Sequence, residues 1–177
     1  MATNYYQGDL DCLCGVYSAI NAAKLVLKEL RGDKAWELFY RCVKNIEKRK
    51  RLASDLTGGL PAPDLRALLR NVLAPKYEIT VKRPFSRVPG IKLNPFLTEI
   101  RKFLEGGGNR AVIVCFAAGW ELPHWSVIRS VSKTNLVLLD SAGWNKIRKK
   151  ECTTWKATTL RKFLFATQDT YFLMSNE

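Results

Sequence analysis

From Cys14 to about Leu30 the apolar positions Val16, Tyr17, Ile20, Ala23, Leu27 and Leu30 recur with the period of a helix, and Gly32-Asp33 interrupts the pattern. Asp33 is placed to cap a second helix. Its stripe of Trp36, Phe39, Tyr40, Val43 and Ile46 reads as core and runs into a basic end near Arg51, where cations suit a helix terminus. After the loop Thr57-Gly-Gly-Leu-Pro-Ala-Pro63, the stretch Asp64–Leu73 reads as a third helix and Tyr77–Lys82 alternates like a strand. Asn94-Pro95 opens a fourth helix that stops before Gly106-Gly-Gly108.

Beyond Arg110 the pattern changes. Ala111–Phe116, His124–Val131 and Leu136–Asp140 are short runs rich in β-branched residues, with Ser132-Lys-Thr-Asn135 as a hairpin connection. Thr158 or Thr159 is expected to cap a short helix through Phe165, and Thr170–Met174 to form a closing strand. The expected fold is therefore α+β, an N-terminal helical layer packed on a C-terminal antiparallel β-sheet. With 177 residues, 47% of them hydrophobic, and no repeat or evident linker, residues 1–177 form one domain.

Two distant segments carry the candidate chemistry. Gln7-Gly-Asp-Leu-Asp-Cys12-Leu-Cys14-Gly15 leads directly into the first helix; Pro123-His124-Trp125-Ser126 opens a strand whose neighbour ends in Leu138-Leu139-Asp140-Ser141. A thiol at a helix N-terminus sits where partial positive charge favours the thiolate, and a His oriented by a carboxylate takes up a thiol proton. His124 is the only histidine in the chain. Idealised pairing of the hairpin about Lys133-Thr134 puts Asp140 opposite about Ile128, a little short of His124. Cys14, with Gly15 after it, is preferred over Cys12 as nucleophile. Trp125 and Trp144 are expected to shield the His–Asp contact or to pack in the core.

These residues, in the order Cys, His, Asp with a Gln upstream, resemble the papain-like cysteine peptidase superfamily, and within it the bacteriocin-processing peptidases that cut after double glycine. The strings His124-Trp-Ser-Val and Leu-Leu-Asp140-Ser also look like the ubiquitin-like-protein proteases, whose residue order differs. The resemblance implies a papain-like fold, Cys14 as nucleophile, His124 as base then acid, Asp140 holding the imidazole, and Gln7 donating to the oxyanion beside the Cys14 N–H. It implies a peptide or protein substrate, including one with Gly-Gly or a ubiquitin-like fold. Gln7 stands one residue further from Cys14 than the family spacing, so a backbone amide of the Gly8–Leu13 loop is the alternative donor.

The five cysteines, Cys12, Cys14, Cys42, Cys115 and Cys152, show no metal-ligand spacing, so no metal or cofactor is expected and free thiols in a reducing, cytoplasmic compartment are. No run approaches the roughly 18 apolar residues of a membrane span, and the first residues do not read as a signal peptide. A net charge of +13 favours an anionic partner. Its clusters Lys48-Arg-Lys-Arg51 and Lys146-Ile-Arg-Lys-Lys150 carry no interleaved aromatics, which argues for an acidic protein partner or inhibitor over nucleic acid. The functional expectation is a cysteine hydrolase acting on peptide or isopeptide bonds. The alternatives are a transglutaminase or glutamine deamidase, an effector or toxin delivered to another cell, and a catalytically silent basic module. Gly58-Gly59 and Gly106–Gly108 are read as loops rather than self-cleavage sites.

Overall fold

The structure, a computed structural model, describes residues 5–8, 11–27, 29–119 and 123–176. The first helix, α1 (Cys14–Val26), contains Ala19, Ala22 and Ala23, and its buried residues face both the sheet and a second helix. Small side chains on several faces let both neighbours approach it closely.

That neighbour is α2 (Asp33–Lys48), whose buried residues are Ala35, Leu38, Cys42 and Ile46. The expected aromatic core stripe is corrected here: Trp36 is 67% exposed and Tyr40 47%, while Phe39 is half-buried against Tyr17. The narrower aliphatic stripe, spaced by three and four residues, faces the small side chains of α1, and the two large rings turn outward. Gly32 rather than Asp33 holds the position before the helix.

A short helix that the periodicity did not signal, α3 (Leu52–Gly58), follows the basic run. Arg49 and Arg51 of that run, themselves exposed, reach the buried Asp64 at 2.5 and 3.0 Å, and Arg51 also meets the buried Asp55 at 3.4 Å. Half of the cluster thus ties α3 to α4 (Ala62–Leu68) from the surface. The chain continues as a π-helical turn at Leu69–Leu73 into α5 (Ala74–Tyr77), so the third helix is longer than expected. The wider turn comes just before Pro75, which has no N–H to continue an α-helical ladder.

Eight strands make one sheet: β1 (Ile79–Lys82), β2 (Arg110–Ala118), β3 (His124–Val131), β4 (Asn135–Leu139), β5 (Lys146–Arg148), β6 (Cys152–Thr153), β7 (Phe163–Phe165) and β8 (Tyr171–Ser175). The main order is β1-β8-β2-β3-β4-β5, all antiparallel. The parallel pair β6–β7 departs from the expected purely antiparallel sheet, and the expected short helix ending at Phe165 is instead β7. Phe163 and Phe165 alternate inward and pair with Ala118 and Phe116 of β2, a long-range pairing that local helix signals do not report.

Along β2 the side chains alternate between two cores. Ala111, Ile113 and Cys115 meet the N-terminal helices; Val112, Val114 and Phe116 meet the opposite core, where Phe96, Leu97 and Ile100 of α6 (Leu93–Glu105) are buried. The sheet is therefore covered on both faces, not by a single helical layer, and β1 joins it from the first half of the chain.

The hairpin β3–β4 carries a bulge that matters for the site. Ser130 pairs with Val137 but Ile128 with Leu138, leaving Arg129 as the extra residue. Pairing then runs Val127 to Leu139, and its continuation sets Asp140 opposite Ser126 instead of Ile128.

Candidate active site

Cys14 is the first residue of α1, after Leu13, whose N–H is held by Asp11 Oδ1 at 3.0 Å. The N–H groups of Val16 and Tyr17 both donate to the Leu13 carbonyl, while those of Cys14 and Gly15 precede any intrahelical acceptor. Two backbone donors and the positive end of a 13-residue helix thus lie at the thiol.

Gly15 lets the helix come this close. A Cβ at Gly15 would lie 3.0 Å from Leu60 Cβ and Cδ2 and 3.2 Å from Trp125 Cδ1. Trp125 is fixed by its buried indole N–H, which donates to the Leu60 carbonyl at 2.8 Å. Trp125 therefore braces α1 against the 58–62 turn rather than covering the His–Asp contact.

His124 opens β3, two residues from Ser126 and on the same side of the strand, so that Asp140 is its diagonal cross-strand neighbour. The bulge brings the two within reach: His124 Nε2 and Asp140 Oδ2 are 2.7 Å apart. The Cys14 thiol lies close enough to the same imidazole to raise its pKa, and with Nε2 taken by Asp140 the nitrogen left for the thiol is Nδ1. The ring is packed by Phe116, centroid to centroid 5.7 Å, and by Trp144 at 5.5 Å. Burial by itself lowers the His124 pKa, but Asp140 and Cys14 outweigh it and raise it to about 9.

Asp140 is fully buried and uses its two oxygens differently. Oδ1 accepts the N–H groups of Ala142 at 2.8 Å and Trp144 at 3.2 Å, closing the turn after β4, while Oδ2 faces the imidazole. Burial pushes the carboxyl pKa up, yet the bond to His124 and the Ala142 N–H hold it below the usual carboxylate value. Turn-forming and imidazole-holding roles thus coexist in one side chain.

Gln7 lies beside this group. Its N–H donates to the Ser141 carbonyl at 3.2 Å, its Oε1 accepts the Ser141 hydroxyl at 3.2 Å, and its Nε2 donates to the Asp11 carbonyl at 3.3 Å. In the loop that follows, the amides of Gly8, Cys12 and Leu13 are committed to Asp11 Oδ2, the Leu56 carbonyl and Asp11 Oδ1. The Cys14 and Gly15 amides, which have no intrahelical acceptor, and the second Nε2 proton of Gln7 are the candidate oxyanion donors. Asp9 and Leu10 of the same loop lie outside the described residues, as do Trp120–Leu122 between β2 and β3.

Cys12 points elsewhere: its thiol donates to the Thr57 carbonyl at 3.3 Å. Burial raises the Cys115 and Cys152 thiols to about 12 and Cys42 higher still, so none of these three supplies a thiolate at neutral pH. Beside the site a cleft of about 290 Å³ opens between Gly59, Leu60 and Ala62 on one side and Cys115, Trp125 and Asp169 on the other. Among the described residues no group of three or more His, Cys, Asp or Glu side chains is arranged to hold a metal, and no helix is long and apolar enough to cross a membrane.

Three contributors were not signalled by motif: Ser126, Phe116 and Leu60. Ser126 was findable, since it follows His124 by two and so shares its side of the strand. The other two come from strand pairing and from a turn, and no local pattern marks them. Comparison with family models, with curated proteins and with solved structures finds no match to this chain.

Proposed function

We propose that this protein is a papain-like cysteine hydrolase cutting peptide or isopeptide bonds through a thioester on Cys14. The observation that carries the reading is the sole histidine, hydrogen-bonded to a buried Asp140 carboxylate and close enough to a thiol at a helix N-terminus to be raised in pKa by it. For the attack His124 takes the Cys14 proton, leaving the negative charge on sulfur. Sγ attacks the carbonyl carbon, and the oxyanion is met by the Cys14 and Gly15 amides with the Gln7 side chain nearby. As the C–N bond breaks, Nδ1 of His124 gives its proton to the leaving amine. A water molecule then loses a proton to the imidazole, attacks the thioester and releases the acid and the thiolate. Asp140 remains ionised throughout and holds the ring in the tautomer that keeps Nδ1 toward sulfur. An apolar substrate side chain fits the cleft bordered by Leu60, Ala62 and Trp125.

Labelling with a set of electrophilic peptide and ubiquitin-like probes, mapped by mass spectrometry, tests this. Modification of Cys14 that disappears in Cys14→Ala and persists in Cys12→Ala supports it; labelling that follows Cys12 instead overturns it. Ammonia release with a glutamine-to-glutamate mass change, and no cleavage, would assign the same thioester to deamidation.

A further inference from the structure

The strongest feature outside this site is a groove of about 600 Å³ between α2 and the turn around residues 71–76. Arg41, Lys44, Lys48 and Lys76 line it against a single carboxylate, Glu37. Glu37 fixes Arg41 at 2.7 Å and lies 3.9 Å from Lys76, and Glu47 holds Lys44 at 2.6 Å, so four cations meet two carboxylates and the face keeps a positive excess. Val72 and Pro75 supply apolar floor. The Asn45 side-chain oxygen, buried in the same wall, has no hydrogen-bond partner among the described residues.

The outward face of α2 adds two rings to this groove. Trp36 and Tyr40, one helical turn apart, lie 5.6 Å between centroids with only 7° between their planes, and both are largely exposed. Tyr40 itself lines the groove, and the Lys44 ammonium sits 5.8 Å from its ring centre. Two parallel, mutually stacked and exposed aromatics bordering a row of cations leave their outer faces and edges for unpaired bases to stack on while the phosphates follow the charge. An acidic protein would be served by the charge alone and gives no use to the flat ring pair. The net charge of +13, which the catalytic chemistry does not require, acquires a purpose here.

We infer that the α2 face, with Trp36 and Tyr40 as a stacking platform and Arg41, Lys44, Lys48 and Lys76 as phosphate contacts, binds single-stranded nucleic acid. No residue of the groove belongs to the Cys14 site, so this inference stands or falls apart from the hydrolase reading.

The test is fluorescence anisotropy of a labelled mixed-sequence single-stranded 20-mer, RNA and DNA in parallel, titrated with the full chain at several salt concentrations. Saturable binding is expected, with log K falling linearly against log salt. Trp36→Ala and Tyr40→Ala should each weaken binding by roughly tenfold or more with little change in that slope. The triple variant Lys44→Gln/Lys48→Gln/Lys76→Gln should flatten the slope by about 2, at about 0.7 per lost phosphate contact. Cys14→Ala should bind as the parent does. All five sites, two rings and three lysines, are exposed, and unchanged thermal unfolding of the variants confirms that binding rather than folding is being read. Absent binding, equal affinity for a duplex of the same sequence, or indifference to both ring substitutions would overturn the inference. Competition by polyglutamate with no effect of the ring variants would assign the face to an acidic protein instead.

Discussion

His124 hydrogen-bonds the Asp140 carboxylate and lies close to the Cys14 thiol, and its titration reports both. Asp140 and Cys14 each raise its pKa, against burial, to about 9. Because the chain has one histidine, its Hε1 proton gives a single assignable NMR titration. We expect a midpoint near 9 in the parent, a lower one in Cys14→Ala, and a lower one again when Asp140→Asn is added, since each change removes a group that favours the imidazolium. An unshifted midpoint in Cys14→Ala would show that thiol and imidazole do not meet. Activity should follow the same proton: turnover falls as pH rises through about 9, because the imidazolium that protonates the leaving amine is then lost. Asp140→Asn keeps an Oδ1 acceptor for the Ala142 and Trp144 amides but no longer fixes the tautomer, and should lower turnover by about 10²-fold or more with the fold retained.

At the level of elements, the site exists because α1 is pressed against the 58–62 turn and the start of β3. Gly15 is the contact point. In an open helix Gly→Ala adds about 1 kcal/mol of stability. Here the added methyl meets Leu60 Cβ and Trp125 at 3.0 to 3.2 Å, and overpacking of this kind costs about 1–3 kcal/mol. Gly15→Ala should therefore destabilise by about 1 kcal/mol in urea denaturation and slow thiol labelling of Cys14, because the helix start is displaced from His124. The same logic applies to the β3–β4 bulge: with Arg129 in a regular ladder the Ser130–Val137 pairing would continue to Val127 opposite Asp140, and the bulge moves Asp140 one residue on, to Ser126, on the side of the strand that carries His124.

Across the whole molecule, two cores share one sheet. Alternate residues of β2 serve each, so the core around α6 and the core under α1 and α2 are joined through a single strand. Phe96→Ala, in the core remote from Cys14, should cost about 3–5 kcal/mol. It should shift one common unfolding transition, seen alike by far-UV dichroism and by Cys14 reactivity, rather than melt one face alone. The surface divides the charge in the same way. Arg49 and Arg51 pair from the surface with the buried Asp55 and Asp64, whereas the cations of the α2 groove have only the exposed Glu37 and Glu47 as partners.

The chain by itself determined what is local: the α+β division, the helix that starts at Cys14, the strand that starts at His124, and the presence of one thiol–imidazole–carboxylate set in order. Periodicity of 3.6 or 2 and turn residues are written into neighbouring positions, so these are legible without coordinates. Tertiary structure alone decided which stripe of α2 is buried, because Trp36 and Ala35 lie on adjacent faces and only the small side chains of α1 choose between them. It also turned Phe163–Phe165 into a strand against β2, sent the Cys12 thiol to Thr57, and set Asp140 against His124 through a bulge. Each of these depends on contacts between residues far apart in the chain, and no local pattern records them.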